Sequence, residues 1–489
     1  MSSRCKILLR SLLRCFVCSM AAAISLLPNS ATAQTEHYNL VLIELNDLGK
    51  EWIGCYSGGE EDEVETPHID ALAESGIKFN NFYSMPESTP TRVSLLTGQY
   101  PFRHGWVGNW NVPAWGGGCS FDPERNSCFP VTIRDAGYQT AVAGDWRLDD
   151  FRVEPQAMND AGFENYCMWT GNETGNQPSS QHYQNPFVYE AGRSRTRSGE
   201  FGPDIYTNYL VDFLAKNKEQ PMFVYYPMVL SRAPLTATPD EPDVKGSEDL
   251  HKTSVQYADK LVGRMIAAIE ENGLRQNTVI VLTSNNGTRS TVADREKEGG
   301  ISITTESRVN VPFIVSCPGR IAAGAESNAL IDVTDIAPTF CEIAKVEQYG
   351  EQFDGKSFVA VLDGESEKSQ REWIMAMGGG NSSKLTDQGL ENGYWFRDRV
   401  LRNQRYKAYI GTDRKMIKLV DLQNDPQEAI DSQGAESVEI QNAQTFFEKA
   451  IAEMPKRDAD PHYTPLGHRQ WYRKPTMKSQ VWKSGYPGK

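Results

Sequence analysis

The stretch Ser-Thr-Pro-Thr-Arg-Val-Ser-Leu-Leu-Thr-Gly at residues 88–98 decides how the rest of the chain is interpreted. It predicts the start of a helix, because Thr89 is a capping residue type and Pro90 suits the first helical position. The first turn of a helix offers unpaired N–H groups and the positive end of the helix dipole. Ser88 just ahead of that turn and Arg92 within it therefore indicate an anion site that holds a hydroxyl. An ordinary capped helix is the alternative explanation of the same residues.

These residues resemble the signature of the sulfatase family, C/S-x-P-x-R followed by T-G, in which the first residue is converted to formylglycine. Ser88, Pro90 and Arg92 match its first three defined positions, and Thr97-Gly98 completes it. Further matches follow in the family's order at residues 40–47, 66–70, 99–101, 283–287, 335–339 and 421–426. The resemblance implies a large, mostly parallel sheet flanked by helices and a small C-terminal α/β domain with an antiparallel sheet.

Composition and patterning agree with an α/β fold. The chain has 489 residues, of which 39% are hydrophobic, enough to bury a large core. Apolar β-rich runs alternate with helical patterns, which is typical of a parallel sheet between helices. We expect a helix over residues 254–271, ending at Asn272-Gly273. We expect strands at residues 40–44, 140–143, 222–226, 279–283 and 313–315.

The predicted domains are a sulfatase-like α/β domain at 38–365 and a small C-terminal domain at 366–455. In the second domain we expect antiparallel strands within 399–410 and 416–422 and a closing helix at 443–454. Residues 456–489 form a basic, aromatic extension with eight Lys or Arg against two Asp. We expect this extension to lie on its own domain, with binding of an acidic polysaccharide as the alternative. The polar segment 170–203 is predicted to be a long surface loop, a solvated insertion with the border of a substrate cleft as the alternative.

The first 33 residues resemble a signal peptide, with basic residues before an apolar stretch and small residues ending at Ala33. We therefore expect an exported protein, periplasmic or secreted, with no membrane span in the mature chain. An oxidising compartment permits disulfides, and Cys119 and Cys128 bracket a loop that makes them the best candidates for a bridge. The net charge of −14 argues against general nucleic-acid binding.

The metal positions depart from the family's pattern. Sulfatases that resemble this chain bind calcium through an Asp-Asp pair after the first strand and an Asp-Asn pair after a later one. Asn46-Asp47 and Asn285-Asn286 occupy those places here. Calcium affinity depends on anionic oxygens, so exchanging two carboxylates for amides predicts a weakened or absent site.

The other positions that the resemblance implies are also altered. Where the family has Gly-Lys-Trp-His, this chain has Gly144-Asp145-Trp146-Arg147. Asp145 therefore replaces the family's lysine, and Arg147 replaces its histidine. The family's next histidine aligns with Arg232, and a later lysine aligns near Ile301, with Lys297 as a substitute. We interpret His104 as a packing residue, because it falls where the family has a structural turn.

Two functions stay open on this basis. The first is a sulfuric ester hydrolase acting on sulfated carbohydrate, with Ser88 as the modified nucleophile, Arg92 stabilising it, and Asp47 and Asn286 holding a weakened calcium. The second is an inactive relative that binds sulfated glycans through a pocket lined by Arg147, Arg232 and Asp145, since guanidinium groups form forked hydrogen bonds with sulfate. A two-metal phosphatase is disfavoured, because such sites need more carboxylates and histidines than remain.

Overall fold

The computed structural model describes residues 37–57, 64–108, 119–149, 151, 154–169, 182–288, 303–346, 353–378, 384–386, 389–391, 393–461 and 463–465. The predicted signal peptide and residues 466–489 lie outside these ranges. The described residues from Tyr38 onward belong to one unit, and the domain boundary near residue 365 stays a prediction. Within the described ranges, no helix has both the length and the apolar character needed to cross a membrane.

The described strands and helices alternate along most of the chain. The strands are β1 (Asn39–Leu45), β2 (Ile77–Phe79), β3 (Phe82–Tyr83), β4 (Cys119–Phe121), β5 (Gln139–Asp145), β6 (Asn165–Trp169), β7 (Phe187–Glu190), β8 (Arg193–Thr196), β9 (Met222–Pro227), β10 (Thr278–Ser284), β11 (Phe313–Ser316), β12 (Ala325–Ser327), β13 (Ile331–Asp332), β14 (Ile374–Met377), β15 (Lys384–Thr386), β16 (Gly389–Glu391), β17 (Arg399–Arg402), β18 (Tyr406–Ile410), β19 (Met416–Asp421) and β20 (Tyr463–Pro465). The helices are α1 (Gly54–Ser57), α2 (Pro67–Glu74), α3 (Ser88–Thr97), α4 (Pro101–His104), α5 (Phe129–Asp135), α6 (Ala157–Asp160), α7 (Gly202–Asn217), α8 (Ser247–Glu271), α9 (Glu306–Val309), α10 (Ile336–Ile343), α11 (Val359–Leu362) and α12 (Val438–Glu453).

The large sheet has the strand order β12-β2-β11-β10-β1-β9-β5-β6-β7-β8. Its centre is parallel, because β1 pairs with β10 and β9, and β5 pairs with β9 and β6, all in the same direction. Strands β11, β7 and β8 are antiparallel to their inner neighbours. The mixed, mostly parallel sheet and the five predicted strands are confirmed.

Side chains of β1 alternate between two cores, one on each face of the large sheet. Leu40 and Leu42 belong to the core that contains α3, α5 and α10. Val41, Ile43 and Leu45 belong to the core that contains α2, α7 and α8. All seven residues of β1 are buried, as expected for a central strand covered by helices on both faces.

The small antiparallel sheet, with strand order β14-β17-β18-β19, is confirmed in the C-terminal region. One face packs on residues that precede it in the chain, through a core that includes Tyr83, Val309 and Val400. The other face is covered by α12, which contributes Phe447 to the core. Strand β20, in the C-terminal extension, pairs antiparallel with β4.

Helix α3 begins two residues earlier than the sequence predicts. Glu87 precedes the helix and Ser88 is its first residue, so the prediction that Thr89 caps the helix is wrong. All ten residues of α3 are buried, and Gly98 ends the helix with a left-handed φ of 62°. Tertiary packing on every side, rather than a local cap, therefore fixes where this helix starts.

Two further predictions are wrong. Residues 187–196 of the predicted loop form the β7–β8 hairpin, whose turn residues Ala191 and Gly192 have positive φ angles of 49° and 76° as a two-residue hairpin turn requires. The Cys119–Cys128 bridge does not form, because Cys128 is a free thiol turned into the core. Its Sγ lies 3.6 Å from the carbonyl oxygen of Ala161, and burial raises its pKa to about 12.

Candidate functional site

The predicted site residues come together at one edge of the large sheet. Strands β1, β10, β9, β5 and β6 run parallel, so their carboxyl ends meet at the same edge, where α/β proteins bind ligands. Asn46-Asp47 follows β1, Asn285-Asn286 follows β10, and Arg232 follows β9 after a short connection. Asp145 is the last residue of β5 and lies opposite Trp169, the last residue of β6.

The four residues at the family's calcium positions hydrogen-bond to one another. Asn285 donates from Nδ2 to Asn46 Oδ1 over 2.9 Å, and Asn286 donates from Nδ2 to Asp47 Oδ1 over 2.6 Å. The backbone N–H of Asp47 donates to Asn285 Oδ1 over 3.0 Å. Asn46 Nδ2 lies 3.2 Å from Asp145 Oδ2 and completes the connection to β5. We call these four residues and Asp145 the amide network.

The amide network does not fit calcium. A calcium site needs six to eight oxygen ligands, several of them anionic, whereas Asp47 is the single carboxylate among the four family positions. The amide nitrogens of Asn285 and Asn286 point at oxygens that would otherwise face the metal. Among the described residues, no group of three or more His, Cys, Asp and Glu side chains is arranged to hold a metal ion.

Ser88 and Arg92 project from α3 towards this edge and are both buried. Ser88 donates from Oγ to Asn286 Oδ1 over 3.2 Å, so the candidate nucleophile contacts the amide network directly. Arg92 is completely buried, with Nε 3.1 Å from Glu44 Oε1 and Nη2 3.8 Å from Asp145 Oδ2. These two carboxylates outweigh the cost of burial and raise the pKa of Arg92.

Glu44 is a site residue that the sequence analysis missed. It lies within β1, fully buried, and Tyr225 donates from its hydroxyl to Glu44 Oε2 over 2.7 Å. Burial raises the pKa of Glu44, although Arg92 and Tyr225 favour the charged form. A charged residue inside an apolar strand is rare unless it is paired, and this was the signal in the sequence. Arg92, Arg147 and Arg232 with Asp47 and Asp145 give the site a formal charge of +1, and an ionised Glu44 lowers it to zero.

Arg232 is a cation of the site that reaches the surface. Its Nη1 lies 3.1 Å from Asp145 Oδ2, and its side chain is 14% exposed. The guanidinium carbon also lies 5.9 Å from the centre of the Trp169 ring. Arg147 follows Asp145 by two residues, is partly exposed, and has a left-handed backbone with φ of 59°. Asp145 thus positions Arg232 beside the amide network.

The remaining predictions concern histidine and lysine. His104 is completely buried in a packing position, with its Nε2 3.0 Å from Ser94 Oγ. Ile301 and Lys297 lie outside the described residues. His182, which precedes β7, lies close enough to Asp145 and Arg232 for both to affect its pKa. Its surroundings in sequence are polar and irregular, and no motif marked it.

Comparisons with known proteins agree with the fold. The family model described as "Sulfatase" matches residues 38–346, and the model described as "N-sulphoglucosamine sulphohydrolase, C-terminal" matches residues 302–456. N-acetylgalactosamine-6-sulfatase from Rattus norvegicus is 27% identical over 337 residues, which cover 63% of this chain and 62% of that protein. This chain therefore spans less than two thirds of the length of that relative.

Two solved structures share the fold at lower sequence identity. Ps i-CgsB in complex with k-i-k-neocarrahexaose has a TM-score of 0.71 and 22% identity, and the match covers 91% of this chain and 99% of that chain. BT4656 in complex with its substrate D-Glucosamine-2-N, 6-O-disulfate has a TM-score of 0.67 and 20% identity, and the match covers 87% and 99% of the two chains.

Proposed function

Because the chain belongs to the sulfatase family, we propose that it recognises sulfate esters on carbohydrates without calcium and hydrolyses them slowly or not at all. The carbohydrate part of the proposal is supported by the relatives, which include a galactosamine sulfatase and a structure with a bound glucosamine disulfate. The other parts are supported by the contacts at the carboxyl edge of the large sheet.

One observation carries the proposal: the four residues that the family resemblance implies as calcium ligands hydrogen-bond to one another. In the hydrolytic mechanism that the family resemblance implies, calcium and lysine neutralise the charge that develops on the sulfate group. Here two asparagine amides satisfy the oxygens of Asn46 and Asp47 instead. The site therefore lacks the electrostatic stabilisation that the transition state requires.

Proton transfer is the second missing function. The family positions of two histidines hold Arg147 and Arg232, and arginine stays protonated at any ordinary pH. A guanidinium group cannot act as the acid that protonates the leaving oxygen. It does, however, offer a planar pair of N–H donors that matches two oxygens of a sulfate group. Arg232, held by Asp145 and partly exposed, is suited to bind sulfate rather than to cleave its ester.

Hydrolysis is the second candidate function, and the position of Ser88 favours it. Ser88 occupies the first position of the family signature, at the start of α3, and its hydroxyl contacts Asn286. If Ser88 is oxidised to formylglycine, the hydrated aldehyde provides a nucleophile. Arg92 is then the neighbouring cation, one helical turn away.

Calorimetry with sulfated oligosaccharides and their desulfated counterparts, in the presence of a chelator, tests the proposal. We expect binding of the sulfated forms alone, with no release of inorganic sulfate over hours. Arg232→Ala and Arg147→Ala should each weaken binding by about tenfold, which corresponds to ~1.4 kcal/mol. Arg195→Ala on β8, whose side chain is 65% exposed, is the matched control and should bind like the parent.

Two results would contradict the proposal. The first is calcium-dependent release of sulfate at a rate typical of enzymes, together with a loss of two hydrogens from the Ser88 peptide in mass spectrometry. That result would establish the second candidate function. The other is binding that is unaffected by Arg232→Ala and Arg147→Ala, which would show that the sulfate group is held elsewhere.

A further inference from the structure

We propose that His182 and Trp169 form a subsite for a sugar hydroxyl beside Arg232, in which His182 Nε2 accepts a hydrogen bond from the sugar that carries the sulfate. This inference rests on the proposed function and adds the chemical class of ligand. It requires a carbohydrate with a free hydroxyl or N–H group next to the ester, and not merely a sulfate ion.

The first step is the location of these side chains. Trp169 ends β6 opposite Asp145, at the edge of the sheet that carries the amide network. The His182 ring packs edge-on against Trp169, with ring centres 5.4 Å apart and planes at 70°. The guanidinium of Arg232 lies 5.9 Å from the centre of the same Trp169 ring. The three side chains therefore form a continuous wall next to Asp145.

The second step concerns how rigidly His182 is held. Its neighbour Tyr183 donates from its hydroxyl to the carbonyl oxygen of Arg232 over 2.6 Å, and that hydroxyl also lies 3.2 Å from the carbonyl oxygen of Val229. The rings of His182 and Tyr183 are in contact, with centres 4.0 Å apart. His182 is thus fixed to the segment that carries Arg232.

The third step is the hydrogen bonding of the two side chains. His182 is 4% exposed and Trp169 is 9% exposed. Nevertheless, His182 Nε2 and Trp169 Nε1 have no hydrogen-bond partner among the described residues. Leaving a buried polar atom unpaired costs roughly 1–3 kcal/mol. Two such atoms, on rings that pack against each other next to a partly exposed cation, indicate a binding position where a polar ligand supplies the missing hydrogen bonds.

The protonation state of His182 defines what it can bind. Burial lowers the pKa of His182 to about 4, although Asp145 and a hydrogen bond to the Arg232 carbonyl oppose this shift. The imidazole is therefore neutral at neutral pH. Because Nε2 is the nitrogen without a partner among the described residues, we assign the proton of the neutral ring to Nδ1.

A bare Nε2 discriminates between ligands. It carries a lone pair, so it accepts a hydrogen bond from a hydroxyl or N–H group and repels the oxygen of a sulfate ion. The Trp169 indole is a donor only and can serve a ring or ester oxygen. Arg232 provides the positive charge that binds the sulfate group, while His182 accepts a hydrogen bond from the sugar.

The experiment compares two probes, potassium sulfate and D-glucosamine-2-N,6-O-disulfate, by calorimetry. His182→Phe keeps a ring against Trp169 and Tyr183 but removes Nε2, and Trp169→Phe keeps a ring but removes Nε1. We expect each variant to bind the sugar sulfate about tenfold more weakly and to bind the sulfate ion within a factor of about two of the parent. His68→Phe, at an exposed position of α2, is the control and should leave both affinities unchanged.

The outcomes separate the two proposals. If the parent binds neither probe, the proposed function itself fails. If the parent binds both and His182→Phe loses affinity for neither, or for both equally, the subsite is wrong although the sulfate pocket stands. Nitrogen NMR of labelled histidine gives a readout independent of binding, with the signal assigned from its absence in His182→Phe. We expect a neutral ring protonated on Nδ1, and a ring protonated on Nε2 would overturn the inference.

Discussion

Restoring two carboxylates should convert the amide network into a calcium site. In the double variant Asn46→Asp/Asn285→Asp, the donors that now satisfy the site become acceptors. Asn46 Nδ2 loses its bonds of 3.2 Å to Asp145 Oδ2 and 3.2 Å to the Met228 carbonyl, and Asn285 Nδ2 loses its bond of 2.9 Å to Asn46 Oδ1. At about 1 kcal/mol each, these three bonds contribute ~3 kcal/mol to stability.

Repulsion adds to this loss when no metal is bound. The two new carboxylates lie about 3 Å from each other, and the one at position 46 also lies about 3 Å from Asp145. Like charges at this distance repel by up to about 5 kcal/mol per contact at an effective dielectric constant near 20. Protonation relieves part of this repulsion. We therefore expect the double variant to be at least ~3 kcal/mol less stable than the parent in chelator, as measured by urea unfolding.

Calcium should reverse much of this loss in the double variant alone. A ligand at one hundred times its dissociation constant stabilises the folded state by about 2.7 kcal/mol. Asn39→Asp is the matched control, because Asn39 is buried at the opposite end of β1 and donates to Thr278 Oγ1 over 3.3 Å. It should lose stability and gain no calcium response. A parent that is itself stabilised by calcium, or a double variant indifferent to it, would refute the reasoning.

Three further predictions concern buried charges and one close backbone approach. Glu44→Gln should flatten the decline of stability with rising pH. Folding raises the pKa of Glu44, so the stability that this residue contributes is complete below about pH 4.5 and is lost as the pH rises through the folded-state pKa. Urea titrations at several pH values would detect the change. Gly144→Ala should lower the free energy of unfolding by roughly 2–4 kcal/mol in denaturant, because the added Cβ would lie 1.9 Å from the Pro227 carbonyl oxygen. In the control Gly137→Ala the added Cβ meets nothing within 4 Å, so only left-handed backbone strain of about 1–2 kcal/mol is expected. Asp458→Ala should lower the melting temperature by several degrees, because it leaves the completely buried Arg399 without its carboxylate partner. Arg399 Nη2 lies 2.7 Å from Asp458 Oδ2, and breaking such a buried pair costs about 3–5 kcal/mol. An unchanged melting temperature would contradict this estimate.

The sequence predicts well those features that depend on local periodicity. The strand at 222–226 and the helix ending at Asn272 were both recognisable, because apolar spacing and a Gly-containing stop determine them locally. Only the family resemblance linked Asn46, Asp145 and Asn285 beforehand, and the parallel strands explain why they meet at the carboxyl edge.

The features that escaped prediction depend on contacts between distant segments. The start of α3 is determined by packing on all sides, which overrode the local signal at Thr89. Cys128 is turned towards Ala161, a neighbour that spacing along the chain does not reveal. His182 is held at the site through the contact of its neighbour Tyr183 with the Arg232 carbonyl, and no periodic pattern in the sequence marks that contact. Glu44 carried a visible signal, but its partner Arg92 is known only from the fold.

Helix α3 has a consequence for how this protein's ancestry is read. Its signature residues serve the architecture directly: Thr97 Oγ1 donates to the Val93 carbonyl over 2.6 Å, and Arg92 neutralises Glu44 in the interior. Selection for correct folding is therefore enough to conserve these signature residues in a relative that has lost catalytic activity. A genome survey that counts desulfating enzymes by this motif would include proteins that retain it solely as scaffolding.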